Sequence, residues 1–399
     1  MKKICVVTST RAEYGLLKNT IGAIHNDKDL ELMLVVTGTH LMEKYGHTID
    51  EILEDGFPIT EKVEVDFSSK TPKDISIIMG RLSIEFAKLF SANRPNLLIV
   101  LGDRYELIPI CSCAMNEMIP IAHISGGEVT QGAIDDCVRH CVTKMSYLHF
   151  PGCEEYRQRI IQLGENPKRV FNFGDVGVEN IYTQEYMTKA ELEGSIGFKL
   201  DKPYFSVTFH PVTLDNNTAE EQIIEVLNAL KYFSDYKFVI SKANADIGGE
   251  RINAIIDEFA EQNSNCAAFG SLGIKRYLAL LKYSDGIIGN SSSGIVEAPC
   301  FRIPTINIGD RQAGRLRADS IIDCMTKTDD IINAIKKSRT ESFRNIVSNT
   351  VNPYGQGETA KDIVNVIKDY LFNNKIDLKK EFYDFKPEDR NESFRNNNC

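Results

Sequence analysis

The stretch "GIIGNSSSGIVEAP", residues 286–299, starts as a strand and turns abruptly polar. An apolar run, Gly286-Ile287-Ile288-Gly289, meets Asn290, three consecutive serines and Gly294, with Glu297 three residues further on. Small hydroxylated residues at this handover allow two readings. They can cap a helix start, where Ser and Asn satisfy orphan N–H groups. They can instead leave those N–H groups free for a phosphate, with the helix dipole behind it.

The same rhythm recurs along the chain. Apolar runs stand at 3–9 (KICVVTS), 30–38 (LELMLVVTG), 96–103 (NLLIVLGD), 119–127 (IPIAHISGG), 147–152 (YLHFPG) and 169–175 (RVFNFGD). It restarts at 204–211 (YFSVTFHP), 236–244 (YKFVISKAN), 265–271 (NCAAFGS), 284–293 (SDGIIGNSSS) and 303–310 (IPTINIGD). Amphipathic stretches such as 75–94 lie between the runs at helical spacing. Continuous Val/Ile/Leu runs alternating with helices predict a parallel sheet covered on both faces. The expected fold class is therefore α/β, as two doubly wound parallel-sheet domains with a cleft between them. The boundaries follow from composition: an N-terminal domain over 1–182, a polar linker over 183–202 and a C-terminal domain over 203–357. A last amphipathic helix falls in 358–385, placed back on the first domain by analogy with two-domain sugar-nucleotide enzymes, and a polar tail covers 386–399.

A length of 399 residues fits two domains rather than one core. The formal charge of −10 argues against nucleic acid as a partner, because counterion release needs a clustered basic surface. It also requires any anionic ligand to be met by a local pocket of arginines and backbone amides. No apolar window is long enough to span a membrane, and the apolar run after "MKK" is too short for a signal-peptide core. The ten cysteines lack paired zinc-knuckle spacing and sit mostly in apolar segments. The expectation is a cytoplasmic chain with no disulfide and no metal site.

Ligands of open α/β sheets bind at the carboxyl ends of the strands. In the first half those ends carry Arg11 and Glu13, Asp103-Arg104, Glu128 after a double glycine, and Asp135-Asp136 ahead of Arg139-His140. In the second half they carry His210, Lys242 and Asn244, Asn290 with Ser291 and Ser292, and Asp310-Arg311-Gln312. Each element has an ordinary structural reading: a turn, a core histidine, an N-cap. "GGEVTQG" (126–132) lacks the Lys-Ser/Thr of a phosphate-binding P-loop, and no G-x-G-x-x-G follows the first strand, which disfavours NAD. The joint pattern is more telling. Acids gather in the first half and phosphate-type groups in the second, as suits a phosphorylated substrate whose reacting end faces carboxylates.

Taken together, "TSTRAEYG", "VLGDRYE", "GGE…DD…RH…TK", "FHPVT", "GNSSSG…E" and "INIGDRQAGR" resemble the hydrolysing UDP-N-acetylglucosamine 2-epimerases of bacterial sialic-acid biosynthesis. The resemblance runs in order from about residue 3 to about residue 385. It implies the two-domain fold of the GT-B glycosyltransferases, no cofactor, a homodimer or homotetramer, and conversion of UDP-GlcNAc to free ManNAc and UDP. It also implies roles. Asp103, Glu128 and Asp135 would be catalytic carboxylates, with His210 near the diphosphate. Arg11, Ser291, Ser292 and Arg311 would hold phosphates, Glu297 would accept from ribose hydroxyls, and Arg104 and Asn244 would join the nucleotide-sugar site. Several relatives carry a glutamate just before the double glycine, where this chain has Ser125.

The chemistry accounts for these residue types. Carbon 2 is not next to a carbonyl, so epimerisation there proceeds by elimination. A base takes the C2 proton as UDP leaves C1, and water then adds across the resulting 2-acetamidoglucal. That calls for two carboxyl groups with separate roles and fixed donors for the departing diphosphate. Asp135-Asp136 and the "RH…TK" segment favour the hydrolysing branch over the non-hydrolysing epimerases. The same motifs serve UDP- or GDP-linked N,N'-diacetylbacillosamine on the way to legionaminic acid. A GT-B glycosyltransferase would need an acceptor, and a UDP-sugar binding module would not need Asp103 or Asp135.

Overall fold

The computed structural model describes residues 1–43, 46–68, 71–130, 134–210, 219–243, 249–270, 272–355, 357–373 and 375–384. Two compact units emerge. One gathers Met1–Glu128, Ala133–Glu179 and the chain from Gly357 on, and the other contains Asn180–Gln356.

In the first unit β1 (Lys2–Thr8), β2 (Leu30–Thr37), β3 (Ile59–Val63), β4 (Leu97–Leu101), β5 (Ile121–Ile124) and β6 (Leu148–Phe150) make one sheet. Its order is β3-β2-β1-β4-β5-β6, parallel throughout. The second unit holds β7 (Tyr204–Thr208), β8 (Lys237–Ser241), β9 (Cys266–Phe269), β10 (Gly286–Gly289), β11 (Thr305–Ile308) and β12 (Ile321–Cys324). Its parallel order, β12-β11-β10-β7-β8-β9, repeats the first when counted within its own unit. In each sheet the strand order reverses between the first and fourth strands, β1/β4 and β7/β10. A ligand crevice is expected outside the carboxyl ends at that switch point.

Both faces of the first sheet are covered, which is why its central runs are continuously apolar. Ile4 and Val6 of β1 enter one core with Leu17 and Ile21 of helix Arg11–His25. Cys5 and Val7 enter another, with Phe86 and Phe90 of helix Pro72–Ala92. The last helix, Thr359–Phe372, packs into the first of these cores through Ile363, Val364, Ile367 and Leu371. Within 183–202, where the sequence suggests a linker, helix Lys189–Ile196 is fixed by a Thr188/Glu191 capping box. Its Leu192, with Leu200, is buried against Tyr204 and Val239 in the second unit.

Two strands escape the apolar-run criterion, and one run is not a strand. β3 (ITEKV) and β12 (IIDC) are edge strands, β3 mostly exposed and β12 only partly buried, so their side chains need no apolar continuity. The run 169–175 stays outside the sheet except for a single bridge between Val170 and His149. Its apolar character serves stacking instead, with Phe171 and Phe173 lying against Phe150.

Candidate active site

At the first switch point a buried arginine organises the acids. β4 runs out into Gly102-Asp103, and Arg139, from helix Ile134–Met145, pairs with Asp103 through Nη2. Its side chain is only 3% exposed. The other guanidinium nitrogen, Nη1, donates to the carbonyl of Glu128 at 3.1 Å and to Asp136 Oδ1 at 3.3 Å. One arginine thus ties the end of β4, the loop after β5 and the first turn of its own helix. Asp135, beside Asp136 in that turn, reaches solvent, yet crowding raises its carboxyl above the ordinary range. Loss of solvent contributes most, then the like charge of Asp103, against the opposing pull of Arg104 and Arg139.

His123 of β5 braces this arrangement from below. Its Nε2 bonds the carbonyl of Gly102 at 2.8 Å and its Nδ1 meets Thr143 Oγ1 at 3.1 Å. Burial holds its pKa down at about 3, so the ring is a neutral strut rather than a proton carrier. After β5, Ser125 takes a left-handed conformation with φ +59° and Gly127 follows at φ +79°. A Cβ on Gly127 would stand 2.4 Å from the carbonyl oxygen of Tyr156, so glycine is required there.

At the second switch point the organiser is Asn290. Its Oδ1 accepts from the N–H of His210 at 2.7 Å and its Nδ2 donates to the His210 carbonyl at 2.8 Å. The Asn290 carbonyl in turn accepts from Arg311 at 3.0 Å and Gln312 at 2.9 Å. His210, the serine turn and the loop after β11 are therefore drawn together around one residue, through its side-chain amide on one side and its backbone carbonyl on the other. Gly289 allows it, because a Cβ there would lie 1.8 Å from the Thr208 carbonyl oxygen.

The serines are not a conventional cap. Ser292 occupies the N-cap position of helix Ser293–Val296 but makes no side-chain capping bond. Ser291 Oγ accepts only a long 3.4 Å contact from the N–H of Ser293. That helix is a single turn, so the dipole behind the serines is smaller than a full helix would supply. Glu297 ends the turn rather than sitting inside a helix, and it accepts from Ser293 Oγ at 2.5 Å, which accepts from Tyr277 at 2.5 Å. Burial pushes the Glu297 carboxyl above its usual range.

A family model described as UDP-N-acetylglucosamine 2-epimerase matches residues 22–368 of the chain. The chain belongs to that family, whose members are enzymes acting on sugar nucleotides. Among its relatives is the Campylobacter jejuni "GDP/UDP-N,N'-diacetylbacillosamine 2-epimerase (hydrolyzing)", 41% identical over 86% of this chain and 89% of that one. Another is the Escherichia coli "Polysialic acid biosynthesis protein P7", 39% identical over 96% of this chain and 98% of that one. Among solved structures, an S. aureus MnaA–UDP co-structure superposes with a TM-score of 0.76, covering 97% of this chain and 100% of that one. At 20% identity that likeness bears on the fold alone, the GT-B-like pairing of two doubly wound units.

In this 2-epimerase family member the expected residues distribute unevenly. Asp103, Arg104 and Asp135 come within electrostatic reach of one another at the first sheet. Glu128 borders them through its carbonyl. His210, Ser291, Ser292 and Arg311 collect around Asn290, with Glu297 behind them. Arg11 is different: it is exposed and ion-paired with Glu51 at 2.8 Å. Asn244 lies outside the described residues. Arg139, Gln312 and Glu13 stand among the strand-end residues of the sequence without an assigned role, and the bracing by His123, the structural role of Asn290 and the burial of Glu13 and Glu106 were not foreseen. Arg139 and Asn290 do stand inside quoted motifs, but their burial leaves no mark in sequence. No described helix is long and apolar enough to cross a membrane.

Proposed function

We propose that the chain is a hydrolysing 2-epimerase that converts UDP-N-acetylglucosamine and water to N-acetylmannosamine and UDP. The observation that supports this most is the pair Asp103 and Asp135, two carboxyls in unlike surroundings at one switch point. Asp103, ion-paired to Arg139, is the proposed base for the C2 proton. As the C2–H bond breaks, its electrons form the C1–C2 double bond and the C1–O bond leaves with UDP. Asp135, with its raised carboxyl, is the proposed proton donor to the opposite face of C2 as water adds oxygen to C1, the proton released by water passing to solvent, with which both carboxyls exchange to reset. Separate environments for two carboxyls are what such acid and base roles need.

The diphosphate would be held by Ser291, Ser292, Arg311 and His210, with hydroxyls and N–H groups fixed in advance around Asn290. Glu297, Arg104, Arg11 and Asn244 complete the proposed nucleotide-sugar set, and Glu128 is proposed beside the reacting carbons. The proposed assembly is a homodimer or homotetramer. A second reading keeps the reaction and changes the sugar. The C. jejuni relative at 41% identity favours UDP- or GDP-linked N,N'-diacetylbacillosamine. Separate incubations of pure protein with the three donors, without acceptor, decide between them. Release of nucleoside diphosphate and 2-epimer from UDP-GlcNAc alone supports the first reading. Turnover confined to a diacetylbacillosamine donor overturns it in favour of the second.

A further inference from the structure

Two buried carboxyls at the first switch point take no part in the roles above. Glu13, in the first turn after β1, and Glu106, at the end of the loop after β4, are 5% and 1% exposed. Ser9 stands between them. Its Oγ lies 3.0 Å from Glu13 Oε2 and 3.3 Å from Glu106 Oε1, and its N–H donates to Glu13 Oε2 at 2.6 Å. Glu13 Oε1 and Glu106 Oε2 are buried with no hydrogen-bond partner among the described residues. The Ser9 backbone is held in place between the two acids: Thr39 Oγ1 donates to its carbonyl at 3.2 Å, and Gly38 packs so close that a Cβ there would stand 2.9 Å from Ser9 Cβ.

A hydroxyl has one proton and can donate to only one carboxylate. With both carboxyls ionised, one would face the lone pairs of Ser9, and two like charges would share a dry site. One extra proton removes both conflicts, because the protonated acid donates to Ser9 Oγ and Ser9 donates onward to the ionised one. Arg104 Nε decides which is which by donating to Glu106 Oε1 at 2.8 Å, placing the charge on Glu106. The proton therefore belongs to Glu13. Burial first, then the Glu106 charge, push Glu13 up to about 7 against the bonds from Ser9.

We propose that Glu13 is a positioning residue: protonated, it completes a chain Glu13–Ser9–Glu106–Arg104 that fixes the Arg104 guanidinium beside Asp103 and Asp135. What Arg104 meets there rests on the sugar-nucleotide reading; the proton on Glu13 does not. The other charges around it are accounted for. His40, bonded to Thr8 and Thr48, is kept neutral by burial, with its pKa down at about 4. On the helix of Glu13, Arg11 pairs with Glu51, while Asp55 takes Lys18 and the Tyr14 hydroxyl. Asp103 and Asp135 lie beyond Arg104. Loss of the Glu13 proton turns the Ser9 hydroxyl away from Glu106 and adds a second negative charge behind Arg104. The guanidinium is then drawn inward.

The test uses full-length protein labelled with carboxyl-13C glutamate. The Glu13 resonance, identified by its loss in Glu13→Gln, should titrate near neutrality, and Glu106→Gln should lower its midpoint by removing the like charge. In parallel, KM for the sugar nucleotide should rise roughly tenfold as Glu13 ionises, the scale of one hydrogen bond lost. kcat should change little. Glu13→Gln, a neutral isostere, should keep the low KM across the range. Wild-type protein that turns over sugar nucleotide but titrates Glu13 in the ordinary carboxylate range overturns the proposal. So does a KM rise that persists unchanged in Glu13→Gln, or a midpoint that Glu106→Gln leaves unmoved. Protein that titrates Glu13 near neutrality but turns over no sugar nucleotide overturns the substrate reading instead.

Discussion

Asp103 is fixed by a buried arginine, and a substitution that removes its charge leaves that arginine short of a partner. Asp103→Asn keeps the side-chain shape and one acceptor, so the fold should survive. Turnover should fall at least about a hundredfold, the low end for a positioned acid or base. Steady-state kinetics beside a melting curve check this, and near-normal turnover would leave Asp103 a structural role only. Asp103 was legible because an acid one glycine past a run of buried aliphatics stands just beyond a strand end. Arg139 was not. An arginine on an amphipathic helix reads as a solvated cation, and only the folded chain shows it enclosed by Asp103, Asp136 and the Glu128 carbonyl. Glu13 escaped for a similar reason. An acid in the first turn of a helix has an ordinary purpose in satisfying the dipole, which hides its burial beside Glu106.

At the scale of the element, the turn from β10 into Ser293–Val296 decides between capping and phosphate binding. The Ser292 side chain makes no capping bond and that of Ser291 makes only a long one, so the folded chain scarcely uses either hydroxyl. Replacing both with alanine should therefore leave the melting temperature nearly unchanged. UDP affinity should drop by an order of magnitude or more, from losing charge-assisted bonds worth about 1.5–3 kcal/mol each. Calorimetry showing unchanged UDP affinity with a lower melting temperature would restore the capping explanation. Central strands were readable because burial on two faces forces continuous apolar runs. The edges β3 and β12 carry no such demand and were missed. The run 169–175 misled because aromatic stacking on Phe150 gives the same composition as a strand.

At the scale of the whole molecule, the end of the described chain is held to the first unit by one buried acid. Glu165, fully enclosed, accepts from His149 at 3.1 Å, Lys144 at 2.8 Å and Lys380 at 2.9 Å. Tyr383 then donates its N–H to the Gly164 carbonyl at 2.9 Å. The bonds from His149, Lys144 and Lys380 outweigh burial and bring Glu165 down to about 2 from an ordinary 4.5. A depressed carboxylate contributes stability that is present above its unfolded value and lost as pH falls through its folded one. The melting temperature should therefore decline as pH drops from about 4.5 toward about 2, with proteolysis of the C-terminal segment rising in step. Glu165→Gln should lower the melting temperature at neutral pH, because it removes the anion that the largely enclosed Lys380 pairs with. A melting curve unaffected by that change would remove Glu165 from this role.

Elimination at C2 followed by hydration exchanges the C2 hydrogen with solvent. The most direct measurement is proton NMR of the reaction with UDP-N-acetylglucosamine run in deuterium oxide. The predicted result is free UDP and an N-acetylmannosamine product carrying deuterium at C2. A product that retains its original C2 hydrogen, or UDP-N-acetylmannosamine that persists with the nucleotide still attached, would contradict it.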